Sequence, residues 1–306
     1  MLTACYTNKN VLIEKNVLIE KIKDINYIPY YLKVYEADSL FIIGNYERSY
    51  KILDSLFMKF EPLDMDIYYE YKTYITRKHK IRKPIKKGEF ERLITEFGYD
   101  KIQIMNNTNL NDVFVKLNIT DFDYNNLRNR YLSSLNIELR QDIIKMKEND
   151  QKFRMGKSSA DITVNRNKVD SVNALKMIDI FEKIGFPGRN IVGGFNVDNT
   201  PVNCNVLLLH TSDSIRLNYF SPKIKSFVRQ GKAIPEIYGT IIDQYLLYKG
   251  NEQFYGTYND SLLTRRISIK ELNKRRKDIG LPSYNYADWR KKKLNSLKLV
   301  ESIDNK

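Results

Sequence analysis

The chain has little of the side-chain chemistry on which many metal centres and disulfide scaffolds depend. Its 306 residues include two cysteines, two histidines and one tryptophan. Two cysteines exclude a disulfide-rich scaffold and a cysteine-rich metal site, and two histidines argue against a multi-histidine metal centre. No apolar run approaches the roughly 18–20 residues that span a bilayer. We therefore expect no metal site and no transmembrane segment.

Familiar catalytic and cofactor motifs are also missing from the sequence. It contains no Walker-type phosphate loop, no Rossmann glycine fingerprint, no HExxH pair and no recognisable serine or cysteine nucleophile motif. We therefore predict no cofactor, and the sequence leaves enzymatic activity uncertain. What is present is the composition of a folded protein, with 42% hydrophobic and 12% aromatic residues.

Positive charge is concentrated in two segments. The net charge is +14, and residues 71–87 carry eight Lys or Arg and no acid, while residues 262–298 carry twelve against three acids. Such patches attract phosphate backbones, although a solvated helix face is the commoner origin of a charge run. The tyrosines near the first segment can stack on bases or belong to the core of a helix from Asp66 to Lys80. Nucleic-acid binding requires the two patches to share a face.

The first residues resemble the end of a bacterial lipoprotein signal. Small residues precede Cys5, the position of a lipidated cysteine, but the charged start and apolar stretch of such a signal are missing. If translation starts upstream, Cys5 becomes an acylated N-terminus and the protein belongs to the cell envelope. As written, the chain is predicted to be cytoplasmic. We treat residues 1–26 as a leader or extension.

Residues 27–136 are predicted to form a helical region. Apolar residues at helical spacing over 30–60 are interrupted at Gly44 and end near Pro62, which predicts two helices joined by a tight turn. The stretch resembles a tetratricopeptide repeat in its small and turn residues, which are Ala37, Gly44, Tyr46, Ser49 and Pro62. The resemblance implies a concave surface that binds a protein partner. The alternative is a helical spacer that covers the C-terminal domain.

Residues 137–293 are predicted to form a helical C-terminal domain, with a tail over 294–306. Capping and breaking residues place its helices from Asp170 to Ile184, from Thr200-Pro201 through His210, from Ser221-Pro222 to Gly231, from Pro235 to Lys249 and from Ser268 to Gly280. We expect a small β-hairpin or an irregular loop over 253–258. The predicted fold class is mainly α, with a helical-repeat-like N-terminal region.

An ordered series of residues over about 137–290 resembles the bacterial domain-of-unknown-function family 6624. The series comprises Asp150-Gln151, Arg154, Asp170, Asn173, Gly185-Phe186-Pro187, Gly193, His210, Asp243, Gln253–Thr257, Arg275-Arg276 and Gly280-Leu281-Pro282. Gln244 and Tyr258 depart from the family pattern, in which Arg and Gln are expected. This family is common in Bacteroidota, often follows helical repeats and has no defined activity, so the resemblance implies domain identity and no chemistry.

Eight residues of this series are candidates for one cleft. His210 and Asp243 are the candidate catalytic residues, with His210 as a general base whose ring Asp243 orients. The candidate ligand-binding residues are Gln253, Tyr255, Gly256, Thr257, Arg275 and Arg276. Either arginine is suited to hold a phosphate or carboxylate. The structural alternative makes His210 a hydrogen-bonded core residue and Asp243 an anchor of the loop.

Three functional hypotheses follow. The preferred one is a binding protein, with a protein partner on residues 27–136 or an anionic small molecule in the C-terminal domain, because no complete catalytic motif accompanies the repeat-like helices. The second is a hydrolase or transferase that acts on an anionic substrate through His210 and Asp243. The third is nucleic-acid binding through the two basic patches.

Overall fold

The computed structural model describes residues 25–154, 160–258 and 267–304, and within these ranges it is mainly helical and contains no β-strand. This confirms the predicted fold class. The α-helices are α1 Ile28–Ile42, α2 Tyr46–Phe57, α3 Glu70–Lys80, α4 Lys87–Thr95, α5 Lys101–Met105, α6 Thr108–Lys116, α7 Asp121–Ser134, α8 Ile137–Lys152, α9 Ala160–Lys183, α10 Arg189–Val192, α11 Asn205–Leu209, α12 Asp213–Ile215, α13 Ser221–Arg229, α14 Pro235–Tyr248, α15 Ile269–Asp278 and α16 Tyr286–Asp304. A 3₁₀ turn spans Phe195–Val197, and a π-helical turn over Arg216–Phe220 joins α12 to α13.

The first two helices form the predicted antiparallel pair. Gly44 has a φ of +82° in the turn between them, a left-handed conformation that favours glycine. The side chain of Asn45 accepts a hydrogen bond of 3.3 Å from the Arg48 amide and so caps α2. Buried Ser49 donates its hydroxyl to the Ala37 carbonyl across the pair. The small side chains at these two positions let the helices approach closely.

The N-terminal and C-terminal halves share one core. Buried apolar side chains form a continuous cluster from Tyr27 to Ile241, which crosses the predicted boundary at residue 136. Helix α1 is central to this contact, because the Tyr31 hydroxyl donates to the Val228 carbonyl at 2.8 Å and to the Ala233 carbonyl at 3.0 Å. Burying this hydroxyl without a partner would be costly, so the bonds fix the position of α1 on the C-terminal half.

The last helices close over the same face of α1. Gly280, which follows α15, has a φ of +85°, and a Cβ at this position would lie 2.8 Å from the Tyr31 ring. The Gly280 carbonyl accepts a hydrogen bond of 3.0 Å from Tyr35. From α16, Arg290 forms an ion pair of 2.8 Å with Asp38 of α1. Helix α16 continues to Asp304, through the segment that we predicted to be a tail.

Several C-terminal helix boundaries agree with the sequence prediction. Helix α14 begins at Pro235 and ends at Tyr248, and Ser268 caps α15 by accepting a hydrogen bond of 3.2 Å from the Glu271 amide. Residues 253–258 form an irregular loop rather than a hairpin. Proline and a capping serine act within one turn of the chain, so local sequence is sufficient to place these ends.

Three predicted helix starts were wrong. Helix α11 begins at Asn205 instead of near Thr200, because the Thr200 amide donates to the Asp198 side chain at 3.0 Å and the backbone turns before the helix. Helix α9 starts ten residues before Asp170, at Ala160. Helix α3 starts at Glu70 rather than Asp66, since Ile67 and Tyr69 adopt left-handed backbone angles that interrupt a helix.

No helix in the described ranges is both long enough and apolar enough to cross a membrane.

Candidate functional site

The closest approach of a histidine to a buried carboxylate joins two distant parts of the chain. The Nδ1 atom of His210 lies 2.9 Å and 3.0 Å from the two carboxylate oxygens of Asp150. The Asp150 side chain is 1% exposed, whereas that of His210 is 24% exposed. A carboxylate only accepts hydrogen bonds, so His210 donates from Nδ1–H. In the neutral imidazole, this contact places the lone pair on Nε2.

The second ring nitrogen of His210 is available. Within the ranges that the structure describes, no residue bonds to Nε2. The ring follows the last turn of the short helix α11, where His210 is the C-terminal capping residue. A histidine held through Nδ1 by a buried carboxylate, with Nε2 free, is the arrangement by which enzymes orient a general base.

Arg154 and Asp170 extend the cluster. The Arg154 guanidinium lies 3.1 Å from an Asp150 oxygen and bonds both oxygens of Asp170 at 2.7 Å and 2.8 Å. Gln151 donates its side-chain amide to Asp150 at 2.6 Å. Asp150 is thus held by three side chains, and its negative charge is shared between His210 and Arg154. We refer to Asp150, Gln151, Arg154, Asp170 and His210 as the dyad cluster.

The geometry of the dyad cluster depends on α8, α9 and α11, which position Asp150, Asp170 and His210 respectively. Asp150 lies in the last turn of α8, and Arg154 follows four residues later on the same side. Asp170 lies inside α9, where it faces Arg154 instead of capping the helix as we predicted. The neighbouring Asn173 is also buried, and its side chain donates at 3.4 Å to the Met146 carbonyl of α8. Packing of α9 against α8 therefore fixes the arginine.

The dyad cluster also contains enough ligand atoms for a metal ion. One atom each from Asp150, Asp170 and His210 lies within 4.8 Å of the others. Arg154, however, already bonds both carboxylates, and a metal ion between them would place a second positive charge beside its guanidinium. The contacts of Arg154 therefore disfavour a metal ion between Asp150 and Asp170.

Asp243, the predicted partner of His210, anchors a loop instead. One of its oxygens accepts hydrogen bonds from the amides of Phe254 at 2.6 Å and Tyr255 at 2.8 Å. The other accepts from the Thr257 amide at 2.8 Å and its hydroxyl at 2.7 Å. Asp243 is fully buried. This agrees with the structural alternative for Asp243, in which it anchors the loop.

The other candidate ligand-binding residues hold the same loop in place. Buried Arg276 donates hydrogen bonds to three carbonyls. They are those of Tyr255 at 2.7 Å, Gly256 at 3.3 Å and Pro282 at 2.7 Å. The Gln253 side chain accepts a hydrogen bond of 2.9 Å from the Tyr258 amide. We call Asp243, Gln253, Thr257 and Arg276 together with the loop backbone the loop anchor.

Arg275 differs from its neighbour. It pairs at 3.3 Å with Glu271 on the same helix, and its guanidinium lies 4.1 Å from the centre of the Phe254 ring. The structure therefore brings Asp243, Gln253, Tyr255, Gly256, Thr257, Arg275 and Arg276 together, but around the loop rather than around His210. Their polar groups bond to the loop and its neighbours, and no hydrogen bond within the described ranges joins them to His210.

The two basic segments are partly structural. Arg77 is 1% exposed, and its burial lowers the pKa of the guanidinium to about 9. Buried Lys78 pairs with Glu89 at 2.8 Å. The tyrosines at positions 71 and 74 are buried in the core, which matches the structural interpretation of these rings. Exposed lysines remain in both segments and include Lys80, Lys83, Lys86, Lys87, Lys270, Lys274, Lys277, Lys291, Lys292 and Lys293.

Asp150, Arg154 and Asp170 belong to the series of residues that carries the family resemblance, but the sequence did not lead us to assign them to the site. The available signal was the spacing of Asp150 and Arg154, which places them on one face of a helix end. Nothing local indicated that His210, sixty residues away from Asp150, would complete the cluster. The candidate lipidation residue Cys5 lies outside the described residues.

The chain matches no family model, and neither the curated proteins nor the solved structures contain a significant match to it.

Proposed function

We propose that the protein is a hydrolase or transferase in which His210 acts as a general base. The observation that carries this proposal is the contact of His210 Nδ1 with both oxygens of Asp150, which leaves Nε2 free to accept a proton. In this reaction Nε2 removes a proton from a water molecule or a hydroxyl group as that oxygen attacks the substrate. The imidazolium that forms is stabilised by the Asp150 charge, and it returns the proton to the leaving group.

This proposal revises the enzymatic alternative from the sequence. Asp150 takes the orienting role that we had given to Asp243. The arginines that were expected to hold an anion are engaged with the loop and with Glu271. The proposal therefore concerns proton transfer. The contacts of Arg275 and Arg276 do not support an anionic substrate. Membership in family 6624 also remains a proposal, supported by the convergence of Asp150, Arg154, Asp170 and His210.

The tautomer of His210 tests the geometry directly. The protein has only two histidines, so long-range proton–nitrogen NMR spectra of the labelled protein resolve both rings. We expect His210 to be protonated on Nδ1, and we expect Asp150→Asn to shift it toward the other tautomer. The matched control is Asp112→Asn, because His79 contacts Asp112 through Nε2 at 3.5 Å and is 30% exposed. A wild-type His210 protonated on Nε2 contradicts the proposal.

Turnover provides the second test. The full-length protein is assayed against esters, amides and phosphoesters, and the variants His210→Gln and His79→Gln are compared on any substrate that is turned over. Loss of a general base lowers the rate by about 10²–10⁴-fold. We expect that loss for His210→Gln alone. Turnover that persists in His210→Gln would exclude the proposed role.

A protein partner on residues 27–136 remains a separate proposal. One observation supports it: Ile102 and Phe122 are 71% and 75% exposed, and the preceding residues Lys101 and Asp121 form an ion pair of 2.6 Å that brings α5 and α7 together. The contacts of Tyr31 with the C-terminal half instead support the covering role for α1. The full-length protein carrying Ile102→Ser and Phe122→Ser should lose a captured partner that the variant Met58→Ser retains.

A further inference from the structure

A cavity of about 420 Å³ lies where the N-terminal and C-terminal halves meet. Its wall comes from both halves, and the apolar part includes Leu63, Met65, Phe97, Phe186, Val202 and Ile237. Small-molecule sites in proteins commonly have volumes of about 300–1,000 Å³ and mostly apolar linings. None of the five residues of the dyad cluster lies on this wall.

One buried polar group on the cavity wall has no partner in the protein. Tyr131 of α7 lies on the wall and is 2% exposed. Its backbone carbonyl accepts a hydrogen bond from Ser134, but its hydroxyl forms none with any residue that the structure describes. Leaving a buried hydroxyl unsatisfied is costly. A bound molecule that hydrogen-bonds to this hydroxyl would remove that cost.

The end of the Tyr131 ring is held beside the cavity. A Cβ on Gly98 or Gly193 would lie 2.6 Å or 3.4 Å from the hydroxyl oxygen, and each of these glycines follows a residue of the cavity wall. The Arg128 guanidinium lies 5.0 Å from the ring centre. It donates to two backbone carbonyls and not to the hydroxyl. The ring is therefore fixed by its surroundings, while its hydroxyl stays available.

Four acidic residues lie on the same wall, namely Glu61, Asp64, Asp66 and Glu96. Glu61 and Glu96 share Arg92, at 3.0 Å and 2.7 Å. Asp66 pairs with Arg189 at 2.7 Å. Buried Asp64 accepts hydrogen bonds from two backbone amides and a tyrosine hydroxyl. These carboxylates disfavour an acidic ligand, and their own contacts leave none of them without a partner for a cationic ligand to replace.

The basic residues of the wall offer no counter-charge to a ligand either. Arg189 is engaged with Asp66. Lys232 is exposed, and no contact in the described part of the chain places its ammonium at the cavity. Burying a charge without a partner is costly. The charge balance of the wall therefore favours an uncharged ligand.

The backbone along one part of the wall is strained and firmly held. Within residues 62–69, three residues other than glycine have left-handed angles: Asp64 at +49°, Ile67 at +77° and Tyr69 at +46°. A β-branched residue such as Ile67 rarely adopts this conformation. Glu70 holds the segment by accepting the Met65 amide at 2.8 Å. Strain of this kind persists where the surroundings fix the backbone, and it is concentrated at binding sites.

We propose that this cavity binds an uncharged small molecule that contains a ring and a hydroxyl or carbonyl group, with that group hydrogen-bonded to Tyr131. The rings of Phe97 and Phe186 on the wall favour a ring in the ligand. A phenol hydroxyl both donates and accepts hydrogen bonds, so either polar group can satisfy it. The site is independent of the proposed proton transfer at His210.

The first test uses three probes of nearly equal size that differ in charge: 4-phenylbutan-1-ol, 4-phenylbutyrate and 4-phenylbutylamine. Binding to the full-length protein is measured by calorimetry at physiological salt. We expect the alcohol to bind most tightly, because the carboxylate and the ammonium lose hydration in the cavity and find no free counter-charge. An acid or amine that binds as tightly as the alcohol would overturn the inferred absence of charge.

Tyr131→Phe tests the polar contact, since it removes the hydroxyl and keeps the ring. The affinity for the alcohol should fall about threefold to tenfold. The urea midpoint of the protein without the probe should not fall, because the hydroxyl has no partner in the protein. The control Tyr248→Phe, at a 66% exposed position outside the wall, should leave the affinity unchanged. Unchanged affinity in Tyr131→Phe, or a lower urea midpoint, would overturn the role of the hydroxyl.

A second variant locates the bound probe. Val202→Phe places a ring in the cavity and should abolish binding of the alcohol, while the control Val164→Phe changes a 66% exposed position and should not. Circular dichroism shows whether each variant is folded. Binding that survives in a folded Val202→Phe protein, or an alcohol that fails to bind the wild-type protein, would overturn the cavity as a ligand site. None of these substitutions alters the dyad cluster, so the result is separate from that of the proton-transfer proposal.

Discussion

Two buried aspartates show how the same side chain serves different purposes in this protein. Asp243 of the loop anchor accepts four hydrogen bonds, three of them from backbone amides of one loop. Asp150 of the dyad cluster is equally buried, but its partners are the side chains of His210, Arg154 and Gln151. Backbone amides neither titrate nor move, so Asp243 is committed to structure. The partner His210 can exchange a proton, and the proposed proton transfer rests on this difference.

Replacing Asp243 should have the largest effect on stability. Asp243→Ala leaves the buried Tyr255 amide and the part-buried Phe254 and Thr257 amides without an acceptor, and each unsatisfied buried group costs about 1–3 kcal/mol. We expect the free energy of unfolding to fall by about 3 kcal/mol or more, measured by urea denaturation. Asp179→Ala, which removes a 59% exposed partner of Lys183, should change it by less than about 0.5 kcal/mol. Equal effects for the two variants would refute the anchoring role.

The adjacent arginines of α15 offer a smaller contrast within the loop anchor. Arg276→Met deprives the buried carbonyls of Tyr255, Gly256 and Pro282 of a donor, and we expect a loss of about 2 kcal/mol. Arg275→Met removes an ion pair with Glu271 on the helix surface, which is typically worth about 0.3–0.5 kcal/mol. Urea denaturation of both variants measures the difference. Similar losses would mean that the loop does not depend on Arg276.

A third buried carboxylate, Glu70, should make stability depend on pH. Burial and the nearby Asp64 charge raise the pKa of Glu70 from 4.5 to about 7 in the folded protein. The folded state then binds more protons than the unfolded state between these values, so the free energy of unfolding should fall as pH rises from about 5 to 7. Glu70→Gln removes this titration and should flatten the dependence. Denaturation curves at pH 5, 6 and 7 provide the measurement, and an unchanged slope would count against it.

Asp150→Asn should have a smaller effect on stability than Asp243→Ala or Arg276→Met. The amide still accepts a hydrogen bond, and Arg154 keeps its two contacts with Asp170. We expect a loss of about 1 kcal/mol, together with the change in His210 tautomer described above. A loss as large as that of Asp243→Ala would show that the dyad cluster is mainly structural, and the contrast between the two aspartates would disappear.

Local sequence was sufficient to predict helix ends and turns that are determined by a few neighbouring residues. Gly44 marks the first helical turn, and Pro235 and Ser268 mark helix starts, because their effects act within a few residues. The start of α11 could not be predicted in this way. It depends on Asp198, which accepts the Thr200 amide and also pairs with buried Arg140, a residue 58 positions earlier in the chain.

Prediction of the candidate site was limited because its geometry also depends on contacts between residues far apart in the sequence. His210 was identified from its residue type, but its carboxylate partner could not be chosen from the sequence, because Asp150 and Asp243 are both plausible acceptors until the helices are packed. The structural alternative made Asp243 an anchor of the loop, and the structure shows that contact. The sequence gave no means of placing α8 beside α11.

The contacts of α1 have a consequence for how the chain folds as it is synthesised. The Tyr31 hydroxyl bonds to carbonyls 197 and 202 residues later, and Tyr35 bonds to Gly280, 245 residues later. Helix α1 therefore cannot complete its packing until the chain as far as Gly280 has left the ribosome. Contacts this far apart in sequence slow folding and leave apolar surface exposed in the meantime. During synthesis, the tyrosine-rich face of α1 is the surface that a chaperone would find uncovered.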